Sequence, residues 1–179
     1  MRSQEFVASS VRHSKDLLKR YLVKFDDSNH TRTAPGCPNH LAWCLGHLAL
    51  TASRFAEWLP RGNQNGGALP VSDFIVDAKS GDENRFGTES ICFGSDPNSP
   101  GVVFPTFARC VQIFEAATER LAAGVEQLSD AELVAPVPMF GGKMTPPYLL
   151  AARAIYHVGI HNGQIAYLRR EIGLGSALG

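Results

Sequence analysis

The sequence has no surplus of charge of either sign. Its 17 Lys and Arg stand against 17 Asp and Glu, for a formal net charge of +0. Proteins that grip nucleic acid through its phosphates carry a basic excess or a basic stripe. No run of Lys and Arg interleaved with aromatics occurs here, so no nucleic-acid partner is expected. Long apolar runs are also missing: none approaches the roughly 20 residues needed to span a bilayer. The N-terminus, Met1-Arg2-Ser3-Gln4-Glu5, is polar and lacks the apolar centre of a secretory signal. These absences predict a soluble, cytoplasmic chain with no membrane partner. Cysteine is sparse, and its four members, Cys37, Cys44, Cys92 and Cys110, include no C-x-x-C pair. That spacing excludes a zinc knuckle and a thioredoxin-type motif. In a reducing cytosol such residues are expected to be buried thiols. Cys44, one helical turn from His47, is the one best placed to approach a site there.

What the chain does have is helical periodicity. With 179 residues and 44% hydrophobic content, it is long enough for a single domain, 1–179, with a sizeable core. Val7, Val11, Ser14, Leu18, Tyr21 and Phe25 recur at steps of three and four, predicting a first helix from Ser3 to Asp26 with Ser3 as its cap. Leu41, Leu45, Leu48, Ala52, Phe55 and Leu59 predict a second from His40 to Leu59, opened by Asn39 and stopped by Pro60. Phe107, Val111, Phe114, Thr118, Leu121, Val125 and Leu128 predict a third from Val103 to Leu128. Ser129-Asp130-Ala131-Glu132 then has the spacing of a capping box and predicts one extra turn. Leu150, Ala154, His157, His161, Ile165 and Leu168 predict a fourth helix from Pro146 to Ile172, with Thr145 capping its start and Gly173 its end.

Four long amphipathic helices predict an all-α four-helix bundle. Its connections are unequal. About a dozen residues, Asp27 to Pro38, join the first two helices, whereas roughly 40, Pro60 to Val102, separate the second from the third. Within that long helix 2–helix 3 connection, Val71 to Val76 is predicted to form a short helix. Gly141-Gly142-Lys143 lacks P-loop spacing and reads as a turn.

The chemistry concentrates in histidine. His157 and His161 stand four apart on the seam of Leu150, Ala154 and Leu168, so both point inward, one turn apart. Two imidazoles in an apolar core need partners, since an unpaired buried polar group costs roughly 1–3 kcal/mol. Two readings are open: hydrogen-bonded core histidines, or a ligand pair for a metal ion. H-x-x-x-H without an internal Glu is not the zincin signature. His47, on the flank of the second stripe, would supply a third nitrogen from a facing helix, and three neutral imidazoles with open positions form a common catalytic metal arrangement. His40, at the start of that helix, is a reserve ligand. Gln164 falls on the face of His157 one turn beyond His161, where it either orients a ligand or packs at the helix end. Trp43 and Trp58 read as core anchors.

The run Pro38-Asn39-His40-Leu41-Ala42-Trp43-Cys44-Leu45-Gly46-His47-Leu48, taken with His157-Val158-Gly159-Ile160-His161-Asn162-Gly163-Gln164-Ile165, resembles the DinB-like family of bacterial metal-binding bundles. That resemblance implies a divalent metal held by His47, His157 and His161, often nickel or zinc, with iron or copper also suited to imidazole nitrogen. It also implies a homodimer and a link to stress response. Some relatives are thiol-dependent transferases or isomerases, which points to a metal-dependent enzyme, a transferase or hydrolase, acting on a small-molecule substrate with a low-molecular-weight thiol. The alternative is a non-catalytic, stress-associated interaction protein with a structural metal. Neither the sequence pattern nor the resemblance supplies a general base; Asp73, Asp77 and Glu89 are the acidic residues of the long connection that could serve.

Overall fold

The computed structural model describes residues 1–62 and 69–177; residues 63–68 of the long connection lie outside the described part. The protein is all-α: helices α1 (Ser3–Lys19), α2 (Leu41–Trp58), α3 (Phe107–Glu126), α4 (Asp130–Val134) and α5 (Pro147–Glu171) are joined by turns and two small strand pairs. α2 packs on α3, α3 on α1, α1 on α5 and α5 back on α2. Their buried side chains, among them Val11, Leu45, Phe114, Leu121, Leu150 and Ile165, form one continuous apolar cluster. No helix among the described residues is long and apolar enough to cross a membrane.

The helix limits show where local chemistry overrides periodicity. α1 stops at Lys19 rather than Asp26, tightens into a 3-10 turn over Arg20–Leu22, and reverses at Lys24 in the left-handed region. Phe25 is still buried, at 5% exposure, so the apolar stripe outlasts the helix that was inferred from it. The start of α1 is capped one residue early, at Arg2, whose backbone N–H donates to the Glu5 carboxylate at 2.9 Å. α3 begins at Phe107 rather than Val103. Pro105 biases Phe104 away from helical geometry, and Thr106 then caps the helix. The Ser129/Glu132 capping box is present and opens α4. α5 starts at Pro147 behind Pro146, one residue later than predicted. At its end Gly173 adopts φ 88, and the Leu174 N–H reaches the Arg169 carbonyl at 2.8 Å, a glycine-closed C-terminus.

The long connection is an organised layer. In place of the short helix expected over Val71–Val76, the chain turns at Pro70 and forms strand β1 (Phe74–Ile75), parallel to β2 (Phe86–Gly87). A helix this short gains little on its own, and Val71–Val76 lacks the capping box that opens α4, whereas pairing buries Phe74 and Phe86 at 2% and 0% exposure. Asp73 fastens this layer to α3: its carboxylate accepts from Arg109 at 2.8 Å and lies 3.5 Å from Arg120. Arg109 also donates to the carbonyls of Ser72 and Asn84. A second pair, β3 (Val137–Pro138) and β4 (Met144–Thr145), is antiparallel and turns through Gly141 and Gly142, both at positive φ.

Candidate metal centre

Two helices and the long connection build the site. His157 and His161 project from consecutive turns of α5, and His47 faces them from α2. The candidate donor atoms of these three residues lie within 4.8 Å of one another. His161 Nε2 is 3.0 Å from His157 Nε2. Two nitrogens at tetrahedral angles on one zinc-sized ion stand roughly 3.3 Å apart, so a small outward motion of either ring would admit an ion.

The opposite nitrogens explain why these edges converge. His47 Nδ1 donates to the Ile91 carbonyl at 2.8 Å, leaving Nε2 with its lone pair. His161 Nδ1 donates to Gln164 Oε1 at 2.8 Å, freeing its Nε2 in the same way. Such partners fix tautomer and ring orientation and raise ligand basicity. Trp43 stacks on His47 at 4.6 Å between ring centroids and 11° between planes. Its indole N–H is anchored on Ser95 Oγ at 2.8 Å. The Trp43 ring therefore acts as a wall that holds His47, consistent with its burial at 4% exposure.

Gly46 makes this support feasible. A Cβ there would fall 2.7 Å from a Phe86 ring carbon and 2.9 Å from Ile91 Cγ2. Only a residue without a side chain lets the connection settle on α2 closely enough for the Ile91 carbonyl to meet His47. Ile91 and Ser95, two supports of the site, carry no signal in the sequence, because the first acts through its backbone and the second through a local turn.

Burial sets the charge state. It pushes His157 down to about 3, with the neighbouring His161, His47 and Arg153 charges adding to the effect. It pushes His161 to about 4 and lowers His47 as well. Three rings held neutral at pH 7 are three rings in the form that binds a metal. No Asp, Glu or Cys joins the group among the described residues. A cavity of ≈ 10 Å³ reaches His157 from the interior, between Ser14, Thr51 and Thr118. That is room for about one water, so a larger ligand must approach from the side on which His157 is partly exposed.

The remaining sequence candidates lie elsewhere. His40, rather than Asn39, caps α2: its Nδ1 accepts from the Trp43 N–H at 3.1 Å, and its ring packs edge-on against Phe104. It is committed to the helix start and is not part of the donor group. Cys44 is fully buried, its thiol pKa raised by burial, and its Sγ lies 3.9 Å from Gln164 Oε1. Cys37 and Cys110 are buried too, whereas Cys92 is exposed. Asp73 serves the Arg109 and Arg120 pairing, while Asp77 and Glu89 are exposed on the connection.

Burial also pushes His40 down to about 4, from an ordinary value of 6.5. It is neutral when folded but takes up a proton on unfolding below about pH 6.5. Its contribution to stability is therefore present above that pH and lost as pH falls towards about 4. Asparagine is also a good N-cap and does not titrate. His40→Asn should make the acid limb of the stability profile shallower, by about 2–4 kcal/mol between those limits. Urea melts of the metal-free protein from pH 7 to pH 4 measure this, and an unchanged limb would refute the assignment.

A helical core carrying three convergent imidazoles from two helices, with no acidic ligand among the described residues, defines a class of helical proteins with a histidine-only candidate metal centre. The chain belongs to the DinB superfamily, whose family model matches residues 11–165. A crystal structure of a conserved protein from Enterococcus faecalis superposes with a TM-score of 0.66, covering 97% of this chain and 99% of that one at 14% identity. At that identity the likeness is one of fold. Among curated proteins, none matches the sequence significantly.

Proposed function

We propose that this chain is a four-helix bundle that holds one divalent metal ion, nickel or zinc in preference to iron or copper, through the Nε2 atoms of His47, His157 and His161. We further propose that it works as a metal-dependent enzyme of the thiol-transfer kind. The observation that carries the reading is the convergence of these imidazole edges while the far nitrogens of His47 and His161 are held by Ile91 and Gln164. When bound, such an ion supplies Lewis acidity that lowers the pKa of a thiol or water in its open positions. The chain's own residues do the rest. Gln164 and the Ile91 carbonyl orient the rings, Trp43 walls off one side, and the connection from Phe86 to Ser95 excludes water from the back of His47.

Among the described residues no acidic side chain joins the three histidines, and Asp73 is tied to two arginines. That supports a thiol nucleophile over water. A thiol of ordinary pKa about 8.5 needs a far smaller shift to ionise at neutral pH than water at 15.7. The absence of a fourth protein donor among the described residues supports open positions over a closed structural site.

The test is element analysis of the purified protein, paired with a screen of low-molecular-weight thiols against a fluorogenic electrophile such as monochlorobimane. About one metal ion per chain and metal-dependent thiol consumption are expected. A metal-loaded protein inert towards every thiol would support the structural-metal alternative, and a metal-free protein from metal-replete cells would overturn both.

A further inference from the structure

The charge around the three histidines is unbalanced. Three neutral imidazoles leave a divalent ion with its whole double positive charge, and no carboxylate belongs to the group among the described residues. On α5 the charged side chain that shares the face of His157 is Arg153. Arg153 sits on α5 exactly one i, i+4 step before His157, where side chains share a helix face with Cβ atoms about 5–6 Å apart. It is exposed, and no ion pair or hydrogen bond engages it among the described residues. Two other charged groups lie on the elements that build the site. On α2, two turns beyond His47, Arg54 is paired with Glu57 at 3.0 Å, and Glu89 of the connection is exposed with only its backbone tied to Ala78. A cation with all its donors free beside an uncompensated divalent site is arranged to receive negative charge from outside.

We propose that Arg153 is the specificity residue of this site, binding a carboxylate on a ligand whose other end reaches the metal between α2 and α5. The ligand class is a small molecule with a metal-binding donor and an acidic group two or three carbons apart, a span set by the single turn between Arg153 and His157. Guanidinium binds carboxylate through two parallel N–H···O bonds, which fixes orientation as well as adding affinity.

This inference rests on the metal reading above, and its test separates the two. The protein is loaded with cobalt(II) as a spectroscopic metal and titrated with 3-mercaptopropionate and with 3-mercaptopropanol, two thiols of equal length that differ in the carboxylate. Binding is followed by sulfur-to-cobalt absorption. The wild type should bind the carboxylate thiol about 10-fold more tightly. Arg153→Gln should remove that preference, with metal content and 3-mercaptopropanol affinity unchanged. Arg170→Gln, an exposed arginine at the far end of α5, should keep it. A preference that survives in Arg153→Gln, that is absent from the wild type, or that Arg170→Gln removes equally would overturn the assignment while leaving the metal site standing. Failure of the wild type to take up cobalt would overturn the metal site and the Arg153 role together.

Discussion

Replacing His161 by alanine should strip the protein of its metal. Loss of a partner that merely orients a ligand costs about 10–100-fold in metal affinity, so loss of one of three ligands should cost more than 100-fold. His161 is the decisive choice among the three. It is 5% exposed, its Nδ1 is locked on Gln164, and its Nε2 already faces His157 at 3.0 Å. No described side chain stands ready to replace it, because the donor group contains only the three histidines. Metal content measured after gel filtration should fall from about one ion per chain to below about a tenth. His13→Ala, exposed on α1, should leave it unchanged, and Gln164→Ala should fall between the two. Thermal melts give a second readout: metal at 1,000 times its dissociation constant stabilises the folded state by about 4 kcal/mol, and this gain should vanish in His161→Ala alone. Retention of metal by that variant, or an equal loss in His13→Ala, would refute the site.

The histidine pair was legible because four residues of helix set two side chains on one face, and that geometry holds wherever the helix forms. His47 was harder to read. It lies on the flank of its stripe, and only the resemblance joined it to the other two; the structure brings all three together. Gln164 could be placed on the right face, but its bond to His161 Nδ1 depends on a rotamer that no periodicity encodes. The least legible support is the Ile91 carbonyl, since every residue carries one and nothing marks which will meet an imidazole. Gly46 is no guide to it either: a Cβ there would meet Phe86 and Ile91, but Gly159 and Gly163 sit inside α5 with nothing close to them. The long connection departs from the helix expected over Val71–Val76 for a related reason: Phe74 is buried by pairing with Phe86, twelve residues on, and non-local pairing leaves no local period. The end of α1 failed in the opposite sense, since Phe25 keeps the stripe while Lys24 breaks the helix.

Arg169 carries the largest expected effect on stability, although periodicity gave no hint of it. It is 1% exposed and has no carboxylate partner among the described residues. Its Nη1 donates to the carbonyls of Tyr21 at 2.8 Å and Val23 at 2.6 Å, its Nε donates to Gly175 at 3.1 Å, and the guanidinium lies over the Phe25 ring. These carbonyls belong to the turn that ends α1 and the turn that follows α5, where helical acceptors have lost their own partners. One cation thus closes two chain reversals. Truncation to alanine would leave three carbonyls without their charged donor, with water able to reach only those at the exposed Val23 and Gly175, and each charge-assisted bond contributes about 1.5–3 kcal/mol. With partial relaxation, Arg169→Ala should cost about 3–5 kcal/mol, a large share of the 5–15 kcal/mol typical of a domain. Arg12 provides the contrast. It bonds two carboxylates, Glu119 at 2.8 Å and Glu126 at 2.7 Å, and looks the stronger arrangement. All three side chains are nonetheless 30–49% exposed, where solvent screening limits such pairs to about 1 kcal/mol. Urea melts should therefore rank Arg169→Ala well below Arg12→Ala at equal slope. Arg169→Lys should fall between them, since lysine keeps the charge but cannot span three acceptors from one planar fork. If Arg12→Ala proves the more damaging, or if Arg169→Ala costs less than about 1 kcal/mol, the carbonyl cage is not what holds the two reversals together.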